Sequence, residues 1–397
     1  MRVSRGWSRI AAVAGLVLAC AVAAMVACSL RPVRVGAVLP LTGSYAVYGK
    51  SLERGALLAA ERVNASGGIE GRRIEILVRD SESDDKTAAE AFQALVVRDQ
   101  VSVVLGGCTT GETLAMAPLA ERYRRVLLSP SASGLKITGA GDFVFRNWPS
   151  DEIEGRTLAD FAAFGLHATR ALILAERNTY ADGLREVFTR RFCTVQGSCV
   201  TVLYDPGQSP GAVLDLAKAG LAEAQVVFVA GYGADMVPIL TALRARAPEP
   251  PVLSVSAISG GGVLKGAAAE FEDVVFARPA YDPEGGNPDA AEFASAYTSR
   301  YGAEGDVYAA HAYDAVRILA EVMSKGELGA EAIRKGLLAT RNFPGASGPT
   351  SFDPNGDVVQ PYQMCVVREG QAVPLKTVME QVLPPLQARV ESLRFKK

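Results

Sequence analysis

Short runs of valine, isoleucine and leucine alternate along the chain with longer stretches whose apolar residues recur at helical spacing. The first strand-like run is 33–39, and the helical stretch 48–64 that follows it ends at a pair of glycines, a common helix stop. The alternation continues through runs at 73–80, 86–98, 101–105, 113–125 and 126–129. This pattern predicts a parallel sheet with crossover helices.

The same pattern restarts in the middle of the chain, with strand-like runs at 171–174, 200–204, 226–229 and 252–255. The simplest interpretation is an α/β protein with two consecutive Rossmann-like sheets, one in each of two lobes. The late helical stretches 290–301 and 308–325 have no strand between them, so we expect them to pack on the first lobe after the chain crosses back. Residues 345–356 are rich in Gly, Pro, Asp and Ser and predict turns.

The N-terminus is typical of a secretory signal. Residues 1–9 carry arginines but no acid, and 10–27 are almost wholly Ala, Val, Leu, Ile and Met. A membrane-spanning helix is the alternative, but the run is rich in Ala and ends in small residues before Cys28. Met-Val-Ala-Cys at 25–28 resembles a bacterial lipoprotein signal, which predicts a lipid on Cys28. Cleavage before Cys20 would leave an apolar octet on the mature protein, and ordinary cleavage without a lipid is the other alternative.

Length predicts the number of domains, and net charge argues against two classes of binding partner. The roughly 370 residues after the signal exceed a single core and predict two domains. Without the signal's arginines, 38 basic residues face 43 acidic ones, a net charge of −5. This balance argues against nucleic acid or an anionic membrane surface as partner.

Cysteine spacing suggests one local cross-link. Cys193 and Cys199 flank five residues, and in an oxidising compartment this spacing favours a disulfide. Two unpaired thiols are the alternative, and Cys108 and Cys365 have no evident partner. No Cys-x-x-Cys occurs and the chain has two histidines, so we expect no metal site and no cofactor.

Signals of catalysis are nearly absent. Gly-Lys-Ser at 49–51 is similar to the end of a phosphate loop, but Ser44 stands where that motif needs glycine. No Gly-x-Ser-x-Gly elbow is present. His311 lies in a helical stretch and is interpreted as a packed residue, and His167 follows a glycine in a predicted loop. The sequence therefore predicts that the protein is not an enzyme.

Two loops rich in glycine and hydroxyl groups follow predicted strands. They read Gly-Gly-Cys-Thr-Thr-Gly at 106–111 and Ser-Pro-Ser-Ala-Ser-Gly at 129–134. Such loops expose amide and hydroxyl donors where a helix dipole favours an anion, and ligands of open α/β sheets bind at the carboxyl ends of strands. Together the loops suit a carboxylate, with helix capping by Thr and Ser as the alternative.

Specific motifs resemble the type I periplasmic solute-binding proteins, in particular the leucine/isoleucine/valine-binding family, which also contains amide, urea and aromatic-acid binders. The motifs lie at 36–43, 48–49, 64–69, 71–72, 128–133, 145–146, 149–151, 231–232 and 312–315, and the likeness spans 33–369. The resemblance implies two α/β lobes joined by a three-strand hinge, with the ligand in the cleft. It divides the chain into a first lobe of 33–150 plus 280–352, a second of 151–279 plus 353–378, and a tail of 379–397 expected to form a short peripheral helix.

The resemblance also implies the ligand-binding residues. Thr109 falls where the family presents a hydroxyl to the ligand carboxylate, and the loop 131–133 falls where that end is held. Aromatic positions of the two lobes complete the cleft. The implied set is Tyr48, Thr109, Ser131, Ala132, Ser133, Tyr180, Tyr232 and Ser256.

The expected function is passive capture of a small polar solute outside the cytoplasm, by a monomer anchored through lipid that delivers it to ABC permease subunits. The alternative is an exported sensor of the same fold that signals to a membrane regulator. Amino-acid binders of the family place a glutamate where this chain has Ser256. Because a neutral hydroxyl supplies no countercharge for an ammonium group, we expect a carboxylate without an α-amine, or an amide-like solute, rather than ordinary branched-chain amino acids.

Overall fold

The computed structural model describes residues 31–195 and 197–394. The predicted signal 1–27, the predicted lipid-bearing Cys28 and its rival Cys20 lie outside the described residues. The described chain forms two α/β lobes, each on its own sheet. No helix in this part of the chain is long and apolar enough to cross a membrane.

The first sheet contains five parallel strands in the order β2-β1-β3-β4-β5 among the described residues. β1 and β3 consist mainly of β-branched and aliphatic residues and are almost completely buried. Helices α1, α2 and α3 follow β1, β2 and β3, as the alternating pattern predicts. The bounds are β1 (Val33–Leu39), α1 (Ala46–Ala65), β2 (Ile74–Asp80), α2 (Asp85–Val97), β3 (Val103–Gly106), α3 (Thr110–Tyr123), β4 (Val126–Ser129) and β5 (Val144–Arg146).

The second sheet has the order β12-β11-β10-β9-β8-β6-β7. Strands β6 to β9 match the predicted second set of units, β10 adds a parallel strand that was not predicted, and β11 pairs antiparallel with both β10 and β12. The strands are β6 (Arg170–Glu176), β7 (Ser198–Tyr204), β8 (Val226–Ala230), β9 (Val252–Ser254), β10 (Val275–Pro279), β11 (Tyr362–Arg368) and β12 (Gln371–Pro374). The helices between β5 and β10 are α4 (Asp151–Asp160), α5 (Thr179–Thr194), α6 (Pro210–Leu216), α7 (Lys218–Glu223), α8 (Gly233–Arg246), α9 (Val263–Gly266) and α10 (Ala268–Phe271).

The late helices return to the first lobe, as predicted. They are α11 (Pro288–Tyr301), α12 (Val307–Ser324) and α13 (Ala330–Ala339), and α12 packs along α1. At this contact a Cβ on Gly55 would lie 2.1 Å from the carbonyl oxygen of Ala309, so only glycine allows the two backbones to come this close. This packing brings the start of α12 beside the start of α1, next to the cleft.

The chain passes between the two sheets three times, after β5, after β10 and before β11. These passages fit the three-strand hinge of the predicted fold. The contacts of residues 353–358 lie with the first lobe, because Arg146 of β5 binds both the Asp357 carboxylate and the Gly356 carbonyl. The predicted boundary at 353 therefore comes before the last contacts with the first sheet.

The predicted C-terminal tail is helical. α14 (Leu375–Ser392) is kinked at Val378, whose backbone is not helical, so a helical segment begins at the expected position 379 and contains both Pro384 and Pro385. It packs on β11 and β12, and the Gln387 side chain donates a hydrogen bond to the Gly165 carbonyl, 2.8 Å away. The helix is thus docked on the second lobe.

The expected disulfide is not formed in the structure. Cys193, near the end of α5, and Cys199, in β7, are both free thiols, and the first is exposed while the second is half-buried. Burial and the neighbouring Cys193 raise the pKa of the Cys199 thiol to about 12. The two side chains are therefore neighbours, and their cross-linking stays a prediction.

Candidate functional site

The lobes meet over a small cavity at the carboxyl ends of their parallel strands, the place where open α/β sheets bind ligands. Its free volume is about 10 Å³, enough for about one water molecule. The structure is therefore the closed form, and a solute can enter only when the lobes part. The cavity is lined by Tyr48, Cys108, Thr110, Ser131, Ala132, Ser133, Tyr180, Tyr232, Ser256 and Tyr308.

All of the ligand residues implied by the sequence line this cavity except Thr109. Their contact with a ligand stays a prediction. Cys108, Thr110 and Tyr308 were not anticipated. The first two lie directly beside Thr109 in the same glycine-rich loop, and Tyr308 lies in the first turn of α12.

The structure places Thr110, rather than Thr109, on the wall of the cavity. The Thr109 hydroxyl accepts a hydrogen bond from the Glu112 amide at 3.1 Å, and Glu112 in turn accepts from the Thr109 amide at 3.1 Å. This reciprocal capping box uses the Thr109 side chain to begin α3. Thr110 faces the cavity instead, and its amide and that of Gly111 have no partner within the helix.

Hydrogen bonds tie the second donor loop to the first. The Ser129 hydroxyl donates to the Gly107 carbonyl at 2.7 Å, and the Ser131 hydroxyl donates to the Cys108 carbonyl at 2.9 Å. The Thr110 hydroxyl accepts from the Gly134 amide at 3.2 Å, which leaves its own proton for a solute. The first-lobe wall is thus a rigid set of donors at a helix N-terminus, which suits an anionic group.

Aromatic rings form most of the opposite wall. Tyr180, in the first turn of α5, stacks on Tyr232, the residue before α8, with ring centroids 5.1 Å apart. The Tyr180 hydroxyl lies 3.4 Å from the Ser256 hydroxyl. Burial raises the pKa of both tyrosines well above 10, so both remain neutral at physiological pH.

Two side chains of the first lobe bind the second lobe directly. The Tyr48 hydroxyl donates to the Ala257 carbonyl at 3.0 Å and accepts from the Gly233 amide at 2.9 Å. The Asp306 carboxylate accepts from Ser51 on α1 at 2.5 Å and from the Gly261 amide of the second lobe at 2.6 Å. Tyr48 therefore lines the cavity with its ring while its hydroxyl holds the lobes together.

A pair of buried carboxyl groups lies behind the second-lobe wall, on α4. Glu154 accepts from the Ser256 amide at 2.6 Å with one oxygen and from the Ser256 hydroxyl at 3.0 Å with the other. Asp151, one helical turn earlier, is also fully buried. Burial raises the pKa of Glu154 well above 4.5, and the negative charge of Asp151 raises it further. Burial likewise raises the pKa of Asp151 to about 7.

An acidic group does lie beside the cleft, contrary to the expectation drawn from Ser256. Glu154 lies directly behind this serine and accepts a hydrogen bond from its hydroxyl. The two residues are 102 positions apart, and no spacing or motif in the sequence connects them. The expectation that the ligand lacks an amine therefore loses its physical basis.

A buried aromatic stack supports the cleft from the hinge side. Trp148 lies between Tyr308 and His311, with ring centroids 4.7 and 4.6 Å away. His311 is fully buried in α12, as predicted, and burial lowers its pKa to about 3. Its Nδ1 lies 2.9 Å from the Asn147 carbonyl oxygen. This neutral histidine holds the hinge segment against the first lobe.

Two lobes that close over a hydroxyl-lined cavity define a solute-binding protein. A family model described as periplasmic binding protein matches residues 32–372. The chain belongs to the periplasmic binding protein family, whose members bind solutes and are not enzymes. No group of three or more potential metal ligands occurs among the described residues.

Curated relatives and solved structures place the chain beside binders of branched-chain amino acids. It is 27% identical over 207 residues to the Leu/Ile/Val-binding protein homolog 3 of Brucella melitensis, a match over 51% of this chain and 55% of that one. It is 25% identical over 335 residues to the leucine-, isoleucine-, valine-, threonine-, and alanine-binding protein of Pseudomonas aeruginosa, covering 82% of this chain and 87% of that one.

The fold matches a solved substrate binding protein of a branched-chain amino acid transporter from Streptococcus pneumoniae, determined in complex with isoleucine. The TM-score is 0.80 and the identity 26%, over 86% of this chain and 98% of that chain. Both the two parallel-sheet lobes and the solute-binding role predicted from the sequence are thereby confirmed.

Proposed function

We propose that the protein is the extracytoplasmic solute-binding component of an ABC importer and captures an amino acid, or a related small carboxylate or amide. The observation that carries this proposal is the two-ended cavity. At one end, the N-terminus of α3 and the hydroxyl of Thr110 offer donors to a carboxylate. At the other, Ser256 and the rings of Tyr180 and Tyr232 offer an acceptor and apolar walls.

The named relatives support this ligand class. The Pseudomonas aeruginosa relative binds leucine, isoleucine, valine, threonine and alanine, and the Streptococcus pneumoniae protein was solved with isoleucine. A solute that bridges the two walls would stabilise the closed form, because each wall belongs to a different lobe. The closed surface would then be the form that permease subunits recognise, by hinge closure around the ligand. We propose that the protein does this as a monomer.

We also propose that lipid on Cys28 keeps the protein at the membrane. The segment 29–32 between that residue and β1 is short, so the lobes would stay close to the permease. Labelling of cells with a palmitate analogue should tag the wild-type protein and not a Cys28→Ala variant. Labelling that persists in this variant would assign the lipid to Cys20.

The solute itself can be identified without prior choice. Native mass spectrometry of protein purified under mild conditions should show an added mass that is lost on denaturation and refolding. The refolded protein is then titrated with leucine, isoleucine, valine, threonine and alanine, and with benzoate, urea and aliphatic amides. Saturable binding of at least one of these is expected, and at one hundred times its Kd it should stabilise the fold by about 2.7 kcal/mol. No binding across the panel and no carried mass would contradict the proposal.

A further inference from the structure

The carboxyl groups of Asp151 and Glu154 form the most unusual charged cluster of the molecule. They lie one turn apart on α4, and neither residue is exposed to solvent. Glu154 is held by Ser256, which lines the cavity, through both a backbone and a side-chain donor. Neither oxygen of the Asp151 side chain has a hydrogen-bond partner of good geometry in the described residues. A buried and unpartnered acid beside a ligand cavity is costly unless something supplies a positive charge or a proton.

Arg146 is the only basic side chain whose charge lowers the pKa of Asp151, and its guanidinium is bound elsewhere. The one buried cation nearby, Arg146, binds both oxygens of Asp357, at 2.7 and 2.9 Å, and donates to the Ser133 and Gly134 carbonyls. No lysine or arginine makes an ion pair with Asp151 or Glu154 among residues 31–195 and 197–394. With both acids and Asp357 ionised, the cluster would carry two net negative charges.

Groups that face the pair from the surrounding elements are otherwise neutral or engaged elsewhere. Tyr180 of α5, Tyr308 of α12 and Tyr362 of β11 are buried, and burial raises the pKa of each well above 10. On β10, Arg278 donates to the Tyr281 carbonyl. Ser133 acts on Asp151 and Ser256 on Glu154, and both are uncharged hydroxyl residues. Because the charge of Arg146 is balanced by Asp357, the ligand-free pair is neutralised by protons from solvent.

Ser256 transmits the state of this pair to the cavity. When Glu154 is ionised it accepts from the Ser256 hydroxyl, so the proton of that hydroxyl points away from the cavity. The oxygen lone pairs are then left for a donor in the cleft, such as an N–H of the solute. The Ser256 oxygen, on the side of the cavity opposite Thr110, is then a hydrogen-bond acceptor with the Glu154 carboxylate behind it.

We infer that the Asp151–Glu154 pair, acting through Ser256, recognises a protonated amine of the solute, and that binding of this amine releases protons from the pair to solvent. The inference rests on the proposed function and restricts its ligand class to solutes that carry both a carboxylate and an ammonium group. The ammonium group donates to the Ser256 oxygen. Its positive charge then balances the carboxylates, which lose the protons that they held without ligand. No covalent bond changes, and the protons that leave the pair go to the buffer.

The direction of the pH dependence follows from this exchange. The pKa of Asp151 is raised to about 7 without ligand, and a bound cation lowers the pKa values of the pair, which titrates as a unit. The complex therefore holds fewer protons than the free protein, so affinity for the amine rises with pH. For one released proton the rise is about tenfold per pH unit below pH 7, and it levels off above that value.

The test compares solutes that differ only in the amine. L-Alanine with propanoate and L-leucine with 4-methylpentanoate are two such pairs, titrated by calorimetry between pH 5.5 and 8 in phosphate and in Tris. We expect the amino acid of at least one pair to bind more tightly than its partner, with affinity rising by roughly tenfold from pH 5.5 to 7. The heat should differ between the two buffers because protons are released, and this measurement on the unaltered protein needs no variant.

Two variants locate the effect. Glu154→Gln preserves the shape of the side chain and should lower the affinity for the amino acid at least tenfold at pH 7.5 and flatten its pH profile, leaving the affinity for the matched acid within about twofold. Glu152→Gln is the control, since Glu152 lies on the same helix and pairs with Arg190 at the surface. It should leave both affinity and pH profile unchanged.

The outcomes separate this inference from the proposed function. Equal binding of amino acid and matched acid, affinity that falls as pH rises, or an unchanged profile in Glu154→Gln would overturn the inference alone. If no member of either pair binds, and the wider panel of solutes also fails, the proposed function falls with it. Should Glu154→Gln fail to fold, the absence of buffer-dependent heat in the wild-type protein remains a sufficient contradiction.

Discussion

Two adjacent threonines at the start of α3 have different roles. The Thr109 side chain completes the capping box with Glu112. Thr110 lines the cavity, and its hydroxyl accepts a hydrogen bond from the Gly134 amide. Capping contributes to the stability of the fold, whereas a hydroxyl on a ligand contributes to binding. The same chemical change at the two positions should therefore affect different measurements.

Replacement of each threonine by valine tests this division. Thr109→Val should lower the free energy of unfolding by about 1 kcal/mol through loss of the cap, with little effect on the Kd of the bound solute. Thr110→Val should weaken binding by roughly 1.5 to 3 kcal/mol, the range for a hydrogen bond to a charged group. Denaturant unfolding and calorimetry on both variants distinguish the roles. A larger loss of affinity in Thr109→Val than in Thr110→Val would restore the original assignment.

At this scale the sequence predicts the walls of the site but not the charges behind them. The loops 106–111 and 129–134 are recognisable because their glycines and hydroxyl residues are contiguous, although the threonine that lines the cavity is Thr110 and not Thr109. Glu154 could not be found in this way, because the contact with Ser256 arises only when α4 packs on β10 and β11, beside the turn that follows β9. Buried partners that are distant in sequence leave no local pattern.

At the scale of elements, the junction between α5 and β7 brings two thiols together. Cys193 lies in the last turn of the helix and Cys199 in the second position of the strand, and their side chains interact. The chain between them is short, so a bond between the thiols would close a small loop.

We predict that these cysteines are joined in protein isolated from an oxidising compartment. Closing so short a loop should stabilise the fold by about 2 kcal/mol in the chain-entropy model, less any strain. Peptide mapping without reduction should recover the Cys193 and Cys199 peptides as one linked species, and reduction should lower the unfolding midpoint. As a matched control, Cys193→Ser should have the midpoint of the reduced protein. Mapping that finds both thiols free in the exported protein would contradict the cross-link.

The parallel strands and crossover helices could be predicted because each buries a continuous apolar run or a helical stripe. β5, β10 and the antiparallel edge of the second sheet were not predicted. β5 is three residues long, and β11 and β12 are separated from the other strands of their sheet by three helices of the first lobe. Only the return of the chain after α13 brings them beside β10, and that crossing is a tertiary event.

At the scale of the whole molecule, function depends on the balance between open and closed lobes. Contacts that join the lobes directly favour closure without touching the solute. The Asp306 carboxylate is one such contact, because it accepts from the Gly261 amide of the second lobe. It also caps α12 by accepting from the Ala309 amide at 2.9 Å. Removing the hydrogen bond to Gly261 while keeping the cap of α12 would shift the balance toward the open form.

Asp306→Asn can achieve that separation. An asparagine amide oxygen can still accept from Ser51 and Ala309, where one carboxylate oxygen now serves both, while its NH₂ group cannot accept from Gly261. Because a hydrogen bond to a charged group is worth about 1.5 to 3 kcal/mol, the closed form should lose roughly ten- to hundredfold in population relative to the open form. Solute affinity should fall by up to that factor, with the unfolding free energy nearly unchanged. Small-angle X-ray scattering should show a larger ligand-free radius of gyration that returns to the wild-type value at saturating solute.

The control is Asp289→Asn, which alters a carboxylate paired with Arg317 on α12. If Asp306→Asn leaves both the scattering and the affinity as in the wild type, closure does not depend on this contact.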